Sequence, residues 1–101
     1  MNECLHKVAE ECGTDLSNRN TASSLRQSVL GAIESGCQIA QIDLSNVRTI
    51  SDSFADELFV VMVESKDLDW FKEHISIIGA NEGVRLTILE AIDQRINFEP
   101  A

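Results

Sequence analysis

The stretch IDLSNVRTISDSFADEL, residues 42–58, joins a predicted strand to a predicted helix. Apolar and polar residues alternate over residues 40–44, which is typical of a strand with one buried face. From Phe54 onward, apolar side chains recur at helical spacing, through Leu58 and Met62. The polar residues between the two patterns therefore lie where the strand ends and the helix begins.

The same two periodicities organise the rest of the chain. CLHKVAE (4–10) predicts a first strand, CQIAQIDLS (37–45) a second, and the β-branched run HISIIG (74–79) a third. Apolar residues at steps of three and four predict a helix that Thr21 caps and Gly36 ends. SKDLDW breaks the helix that starts near Phe54, and Asn81 is the predicted cap of a last helix.

The predicted order is β-α-β-α-β-α, which is typical of parallel strands joined by right-handed crossovers. We therefore expect an α/β fold, a single layered domain with a mostly parallel sheet and helices packed on it. The 101 residues fit one domain. We expect a weakly ordered tail at about 97–101.

Composition narrows the class of function. The chain has 17 acidic and 8 basic residues, a net charge of -9, so nucleic acid and anionic membranes are poor partners. Three cysteines without metal-ligand spacing predict reduced thiols. No secretory signal is visible, and the longest apolar run, residues 58–63, is too short to span a bilayer. A cytoplasmic protein is expected.

In parallel α/β sheets, ligands meet the loops at the carboxyl ends of the strands. Here those loops are residues 11–20, 45–52 and 79–83. The functional surface is expected at these loops, whatever the function.

Ser51, Asp52 and Ser53 precede the predicted central helix, and two interpretations of them remain open. In the first, Asp52 or Ser53 caps the helix, Ser53 and Asp56 approximate a capping box, and Asp56 and Glu57 complement the helix dipole. In the second, the Ser53 hydroxyl is displayed to another protein, and a phosphate on it would face backbone N–H donors. Neighbouring carboxylates would repel that phosphate, so spacing alone favours the cap.

A small nucleotide- or anion-binding domain, or an enzyme, is the alternative. It would use Asp43 and the loop GANEG, Gly79–Gly83. That loop lacks both phosphate-binding glycine motifs, and the sequence shows no catalytic constellation, metal cluster or cofactor site. Arg19 could pair with carboxylates at the sheet end, although surface solvation is the default expectation, and Asn81 most simply caps a helix.

Residues 42–58 resemble the core of the STAS domain (sulphate transporter and anti-sigma factor antagonist), in which a strand with an Asp leads to D-S-S-G at a helix start. More specifically, SFADEL at 53–58 is similar to the S-F-A-D-E signature of the STAS-like family of bacterial domains of unknown function. The similarity extends to Arg19, to the helix containing Arg26, and to AIDQR ending at Arg95.

In anti-sigma factor antagonists, a histidine-kinase-like ATPase phosphorylates the second Ser of D-S-S-G, and the unphosphorylated antagonist binds that kinase and releases the sigma factor. By resemblance, Ser53 takes the position of the phosphoacceptor. Asp52 takes that of the first Ser, Ser51 that of the Asp, and Asp43 that of the strand Asp. Asp and Ser are thus exchanged, and Phe54 stands where the family has Gly.

The resemblance implies a non-catalytic regulatory module that binds a partner protein, with a histidine-kinase-like ATPase as the expected class, through the helix start at Ser51–Glu57. The predicted partner-binding residues are Ser51, Asp52, Ser53, Phe54, Asp56, Glu57 and Asp43, with Arg19 and Asn81 as secondary candidates. A homo-oligomer is a further possibility, because Trp70, Phe71 and Phe98 are apolar positions compatible with an interface.

Overall fold

Three parallel strands form the main sheet in a computed structural model, which describes residues 2–97 but not the side chains of residues 96 and 97. Most of the tail predicted at 97–101 therefore lies outside the described residues. The strands are β1 (Glu3–Lys7), β2 (Asp15–Leu16), β3 (Ile39–Asp43), β4 (Thr49–Ile50) and β5 (Ile75–Ile78). The helices are α1 (Val8–Cys12), α2 (Arg19–Glu34), α3 (Asp52–Ala55), a π turn (Asp56–Val60), α4 (Val61–Lys66), α5 (Leu68–His74) and α6 (Glu82–Asn97).

The main sheet has the order β1-β3-β5, and both pairings are parallel. This arrangement confirms the layered α/β fold expected from the sequence. A second sheet, the short parallel pair β2-β4, was not predicted. The first strand is also shorter than predicted, because the chain turns into α1 at Val8, where Ala and Glu residues favour a helix.

One face of the main sheet carries the core. Ala40 and Ile42 on β3 are fully buried, and their register partners on β1 and β5 lie on the same face. The opposite face is more open, with Leu5 49% exposed and Gln41 half-buried beside it. The helices therefore cover one side of the sheet.

Helix α2 begins earlier than predicted. Its cap is Asn18, whose Oδ1 accepts hydrogen bonds from Asn20 N at 2.8 Å and Thr21 N at 3.1 Å. Thr21 lies inside the helix, so its prediction as the cap was wrong. Asn18 is the cap because its backbone is still extended, which is the conformation of an N-cap residue. The prediction that the helix ends at Gly36 is confirmed by the positive φ of 119° there.

Segments α3, the π turn and α4 form one continuous helix, the central helix, residues 52–66. Its apolar face is fully buried at Phe54, Leu58, Phe59 and Met62, and the π turn contacts both α2 and α6. The helix ends at Asp67, whose φ is 126°. The predicted break at SKDLDW is confirmed.

Helix α6 is capped by Asn81, as predicted. Asn81 Oδ1 accepts from Val84 N at 2.8 Å. Val84 and Ile88 are buried, but Leu89 is 51% exposed. The buried line advances by four residues from Val84 to Ile88, and the next position is turned about 100° away from it.

The apolar positions considered for an oligomer interface are placed differently from one another. Phe71 is buried, with its ring edge against Phe59 at 6.2 Å between centroids, so it is a core residue rather than an interface residue. Trp70 is half-buried, 5.0 Å from the His74 ring. Phe98 lies outside the described residues.

The prediction of three reduced cysteines was wrong. Cys4 and Cys37 form a disulfide, with 6.1 Å between their Cα atoms, and Cys12 is free. Parallel pairing of β1 with β3 brings the two residues together, since Cys4 lies opposite Ala40. Their separation of 33 residues in sequence gave no local signal.

Candidate functional site

The cap of the central helix is Ser51. Its Oγ accepts from Phe54 N at 3.0 Å, while its own amide donates to Leu16 O at 2.8 Å. The prediction that Asp52 or Ser53 caps the helix was therefore wrong. The Leu16 bond keeps Ser51 extended, and the helix can begin only at Asp52.

Ser53 lies inside the first turn, half-buried. Its hydroxyl is hydrogen bonded to that of Ser51, with 3.1 Å between the two oxygens. The predicted capping box of Ser53 with Asp56 does not form, because Ser53 pairs with Ser51 and Asp56 faces Arg95 at 3.8 Å. Two linked hydroxyls thus stand at the helix start.

Phe54 is not on this surface. Its side chain is fully buried in the core, whereas the sequence predicted it as a partner-binding residue, so the structure contradicts that prediction for Phe54. Asp52, in contrast, is exposed. Phe54 therefore anchors the helix start to the core, and the polar residues before it remain outside the core.

Glu57 is held by two arginines of α2. Arg26 donates to Glu57 Oε2 at 2.7 Å, and Arg19 donates to Oε1 at 3.1 Å, so Arg19 forms the carboxylate pair that was the alternative to plain surface solvation. The hydrogen bond from Arg26 is the main cause that lowers the pKa of Glu57, and Arg19 adds to the effect. The Arg26 side chain is only 15% exposed, so this cluster fixes α2 against the central helix.

Arg26 also binds the backbone of the π turn. Within it, Val61 N donates to Asp56 O, a step of five residues. Arg26 donates a second hydrogen bond to the carbonyl oxygen of Glu57. The guanidinium therefore binds both the side chain and the backbone of one residue in the turn.

A groove of about 670 Å³ opens between the start of the central helix and α6. We call it the central groove. It is lined by Arg19, Asp52, Ser53, Asp56, Glu90, Ala91, Gln94 and Arg95. Four of these residues were predicted as site residues, and the four on α6 were not.

In the central groove, the arginines are paired with carboxylates, but two of the carboxylates have no basic partner within residues 2–95. Arg95 contacts Glu64 at 2.7 Å and Asp56 at 3.8 Å, and Arg19 is engaged by Glu57. Asp52 and Glu90 have no ion pair within the described part of the chain. The groove therefore presents negative charge that the protein itself does not neutralise.

Asp43 lies elsewhere, at the carboxyl end of β3. Its Oδ1 accepts from Ser45 N at 2.9 Å, and hydrogen bonds from the Ser45 side chain and amide lower the pKa of Asp43. A Cβ on Gly79 would lie 2.8 Å from the same oxygen, so the two predicted loops do meet. The pocket beside them is about 160 Å³, and it is lined by Asp43, Lys7 and Glu10 among others. Lys7 is paired with Glu10 at 3.6 Å, so the pocket offers an anion little free positive charge.

Asn81 uses its amide to join loops. Besides capping α6, its Nδ2 donates to the carbonyl oxygens of Val47 at 3.1 Å and Arg48 at 3.2 Å. The loop Gly79–Gly83 is therefore tied to the loop before the central helix. The helix cap and the two loop contacts together use both polar atoms of the Asn81 side chain.

The described residues contain neither a membrane-spanning helix nor a metal-binding cluster. No helix there is long and apolar enough to cross a membrane. No group of three or more His, Cys, Asp or Glu side chains in the same residues could hold a metal ion.

A family model described as a STAS-like domain of unknown function matches residues 22–85. The chain belongs to this family. No curated protein and no solved structure matches the chain. The matched residues of this STAS-like domain include the start of the central helix, while Arg19 and the α6 wall of the groove lie outside them.

The structure thus divides the predicted site residues of the STAS-like domain. It brings Asp52, Ser53, Asp56 and Arg19 into one groove, keeps Ser51 and Glu57 beside it as supports, and places Asp43, Asn81 and Phe54 elsewhere. Sequence reasoning missed Arg26 and the groove residues of α6. For the α6 residues, the signal in the sequence was the spacing of four residues in the pairs Glu90/Gln94 and Ala91/Arg95, which puts both pairs on one side of a helix.

Proposed function

We propose that this STAS-like domain is a non-catalytic regulatory module that binds a partner protein through the central groove. The partner presents basic side chains to the groove. A histidine-kinase-like ATPase is the proposed class, by resemblance to the anti-sigma factor antagonists.

One observation carries the proposal: Asp52 and Glu90 both line a groove whose arginines already have carboxylate partners. Charges left unpaired on a surface steer and select a partner of opposite sign. A nucleic acid or a free anion would be repelled by the same charges. The family match adds support, because it contains the helix start that forms one wall.

Ser53 is the proposed point of regulation within this surface. Ser53 lines the groove, and its hydroxyl is hydrogen bonded to that of Ser51. A phosphate there would add about two negative charges beside Asp52 and Asp56, and it would break the hydroxyl pair. The surface itself does not depend on that modification.

The proposal is tested by capture and affinity measurement. Immobilised wild-type protein is used to capture binding proteins from the source cells, and the captured protein is purified and titrated by calorimetry. We expect Asp52→Arg and Glu90→Arg each to weaken binding about tenfold or more, which is about 1.4 kcal/mol. Glu34→Arg makes the same charge change at the far end of α2 and should bind as wild type. Wild-type affinity in both groove variants would remove the groove as the interface.

Two further measurements separate the parts of the proposal. Ser53→Ala and Ser53→Asp with equal affinities would end the role of Ser53 as a switch and leave the surface intact. A thermal-shift series with ATP, GTP, inorganic phosphate and Mg²⁺ tests the nucleotide- or anion-binding alternative, because a ligand of the folded state raises the unfolding temperature. No shift with any of the four would reject that alternative.

A further inference from the structure

Residues 2–16, which we call the N-terminal brace, support the start of the central helix. The brace precedes the matched residues 22–85. Leu16 O accepts the amide of Ser51 at 2.8 Å, and Thr14 O accepts the amide of Arg48 at 2.7 Å. The segment that positions the helix cap is therefore hydrogen bonded to the brace, in addition to the contacts that Asn81 makes with it from within the matched region.

The brace is fastened at its other end by the Cys4–Cys37 disulfide. β1 lies at an edge of the main sheet, so it is paired with a strand on one side only. Next to the disulfide, Gln38 N donates to Asn2 O at 2.8 Å. The disulfide is the covalent part of this attachment, and it links a residue outside the matched region to one inside it.

We infer that the Cys4–Cys37 disulfide is a reversible redox site whose reaction partner is a dithiol, and that its reduction loosens the N-terminal brace and with it the central groove. The effect of a loosened groove on partner binding rests on the proposed function. The reduction and the loosening can be measured without any partner protein.

The surroundings of the disulfide suit both oxidation states. Both cysteines are half-buried rather than fully enclosed. His6 Nε2 lies 3.7 Å from Cys4 Sγ, so a polar group stands beside the sulfur that reduction releases. Ile39 O lies 3.1 Å from Cys37 Sγ and 3.8 Å from Cys4 Sγ, so it can accept a hydrogen bond from either thiol.

The proposed step is a thiol–disulfide exchange. A thiolate of the dithiol attacks one sulfur of the disulfide, the Cys4–Cys37 bond breaks, and a mixed disulfide forms. The second thiol of the reductant then displaces the protein sulfur. Cys4 and Cys37 each gain a hydrogen and are reduced, and the dithiol is oxidised to its cyclic disulfide. Oxidation by a cyclic disulfide of the same class is the reverse.

The chemistry is tested on the wild-type chain. Protein equilibrated with oxidised dithiothreitol, then denatured and treated with N-ethylmaleimide, should take up one adduct, at Cys12. Protein equilibrated with reduced dithiothreitol should take up three. Three adducts after the oxidising treatment would overturn the inference at its first step.

Loosening is tested by hydrogen exchange of the same two samples. We expect the amides of Arg48 and Ser51 to exchange about tenfold faster in the reduced protein, with the mid-helix amide of Val29 unchanged as the internal control. Cys4→Ser should reproduce the reduced pattern, and Cys12→Ser should remain like the oxidised wild type. Equal exchange at Arg48 and Ser51 in both states would overturn the link to the groove, whatever a partner-binding assay shows.

Discussion

Ser51 joins β2 to the start of the central helix through three of its polar groups. Its amide bonds β2, its hydroxyl caps the central helix, and its carbonyl oxygen accepts from Ala55 N at 3.1 Å. Phe54 follows at once because the same turn must also enter the core. The sequence could not choose among Ser51, Asp52 and Ser53, since all three are good caps. The hydrogen bond to Leu16, 35 positions earlier in the chain, decides.

Removing this cap should destabilise the protein measurably. Ser51→Ala leaves the Phe54 amide without its acceptor, so we expect the free energy of unfolding to fall by about 1 kcal/mol. Ser53→Ala is the matched control, because it removes only the contact between the hydroxyls and should cost about 0.5 kcal/mol or less. Urea denaturation measures both values. An equal loss in the two variants would contradict the assignment of Ser51 as the cap.

At the scale of elements, periodicity found the long helices and strands but not how each helix is turned. The apolar spacing of the central helix fits a regular α-helix, so the sequence pattern gave no indication of the π turn. The rotation of α6, which exposes Leu89 and buries Ile88, depends on packing against the π turn. Arg26 was invisible as a site residue for the same reason, because its partner lies 31 residues away on another element.

The link between α2 and the π turn should depend on pH. The pKa of Glu57 is lowered in the folded state, so its carboxylate adds stability above the ordinary value of 4.5, and that stability is lost as the pH falls through the folded-state pKa. We expect wild-type stability to drop more steeply than that of Glu57→Gln from about pH 5 to pH 3. The two curves should converge at low pH.

Glu34→Gln is the control for that pH series. Glu34 is exposed and has no ion pair among the described residues, so its variant should follow the wild-type curve. Urea midpoints measured at each pH give the comparison. A Glu57→Gln curve that runs parallel to wild type would show that the arginine contacts do not stabilise the fold.

At the scale of the whole molecule, alternating strands and helices were enough to predict a parallel sheet with helices on it. The pair β2-β4 was not predictable, because two strands of two residues each give no periodicity. The groove was only half predictable for a related reason. Its first wall follows the predicted strand in sequence, while its second wall is the last helix, brought opposite by the path of the whole chain.

The folding unit should be larger than the matched residues 22–85. Val8 is fully buried and Leu16 is 2% exposed, and both lie in the N-terminal brace. A chain of residues 17–101 keeps the whole matched region but loses β1, β2 and these core contacts. We expect it to show no cooperative thermal transition by near-ultraviolet circular dichroism, because a small domain has few kcal/mol to lose.

Two point variants separate core loss from the effect of shortening the chain. Val8→Ala should lower the free energy of unfolding by about 2 kcal/mol, since it removes buried methyl groups and leaves a cavity. Leu5→Ala, on the open face of the same segment, should change it by about 0.5 kcal/mol or less. A fragment 17–101 that unfolds cooperatively at the wild-type temperature would show that the brace only covers the domain. Loss of the transition, together with a costly Val8→Ala, would show that the brace completes the core beneath the groove.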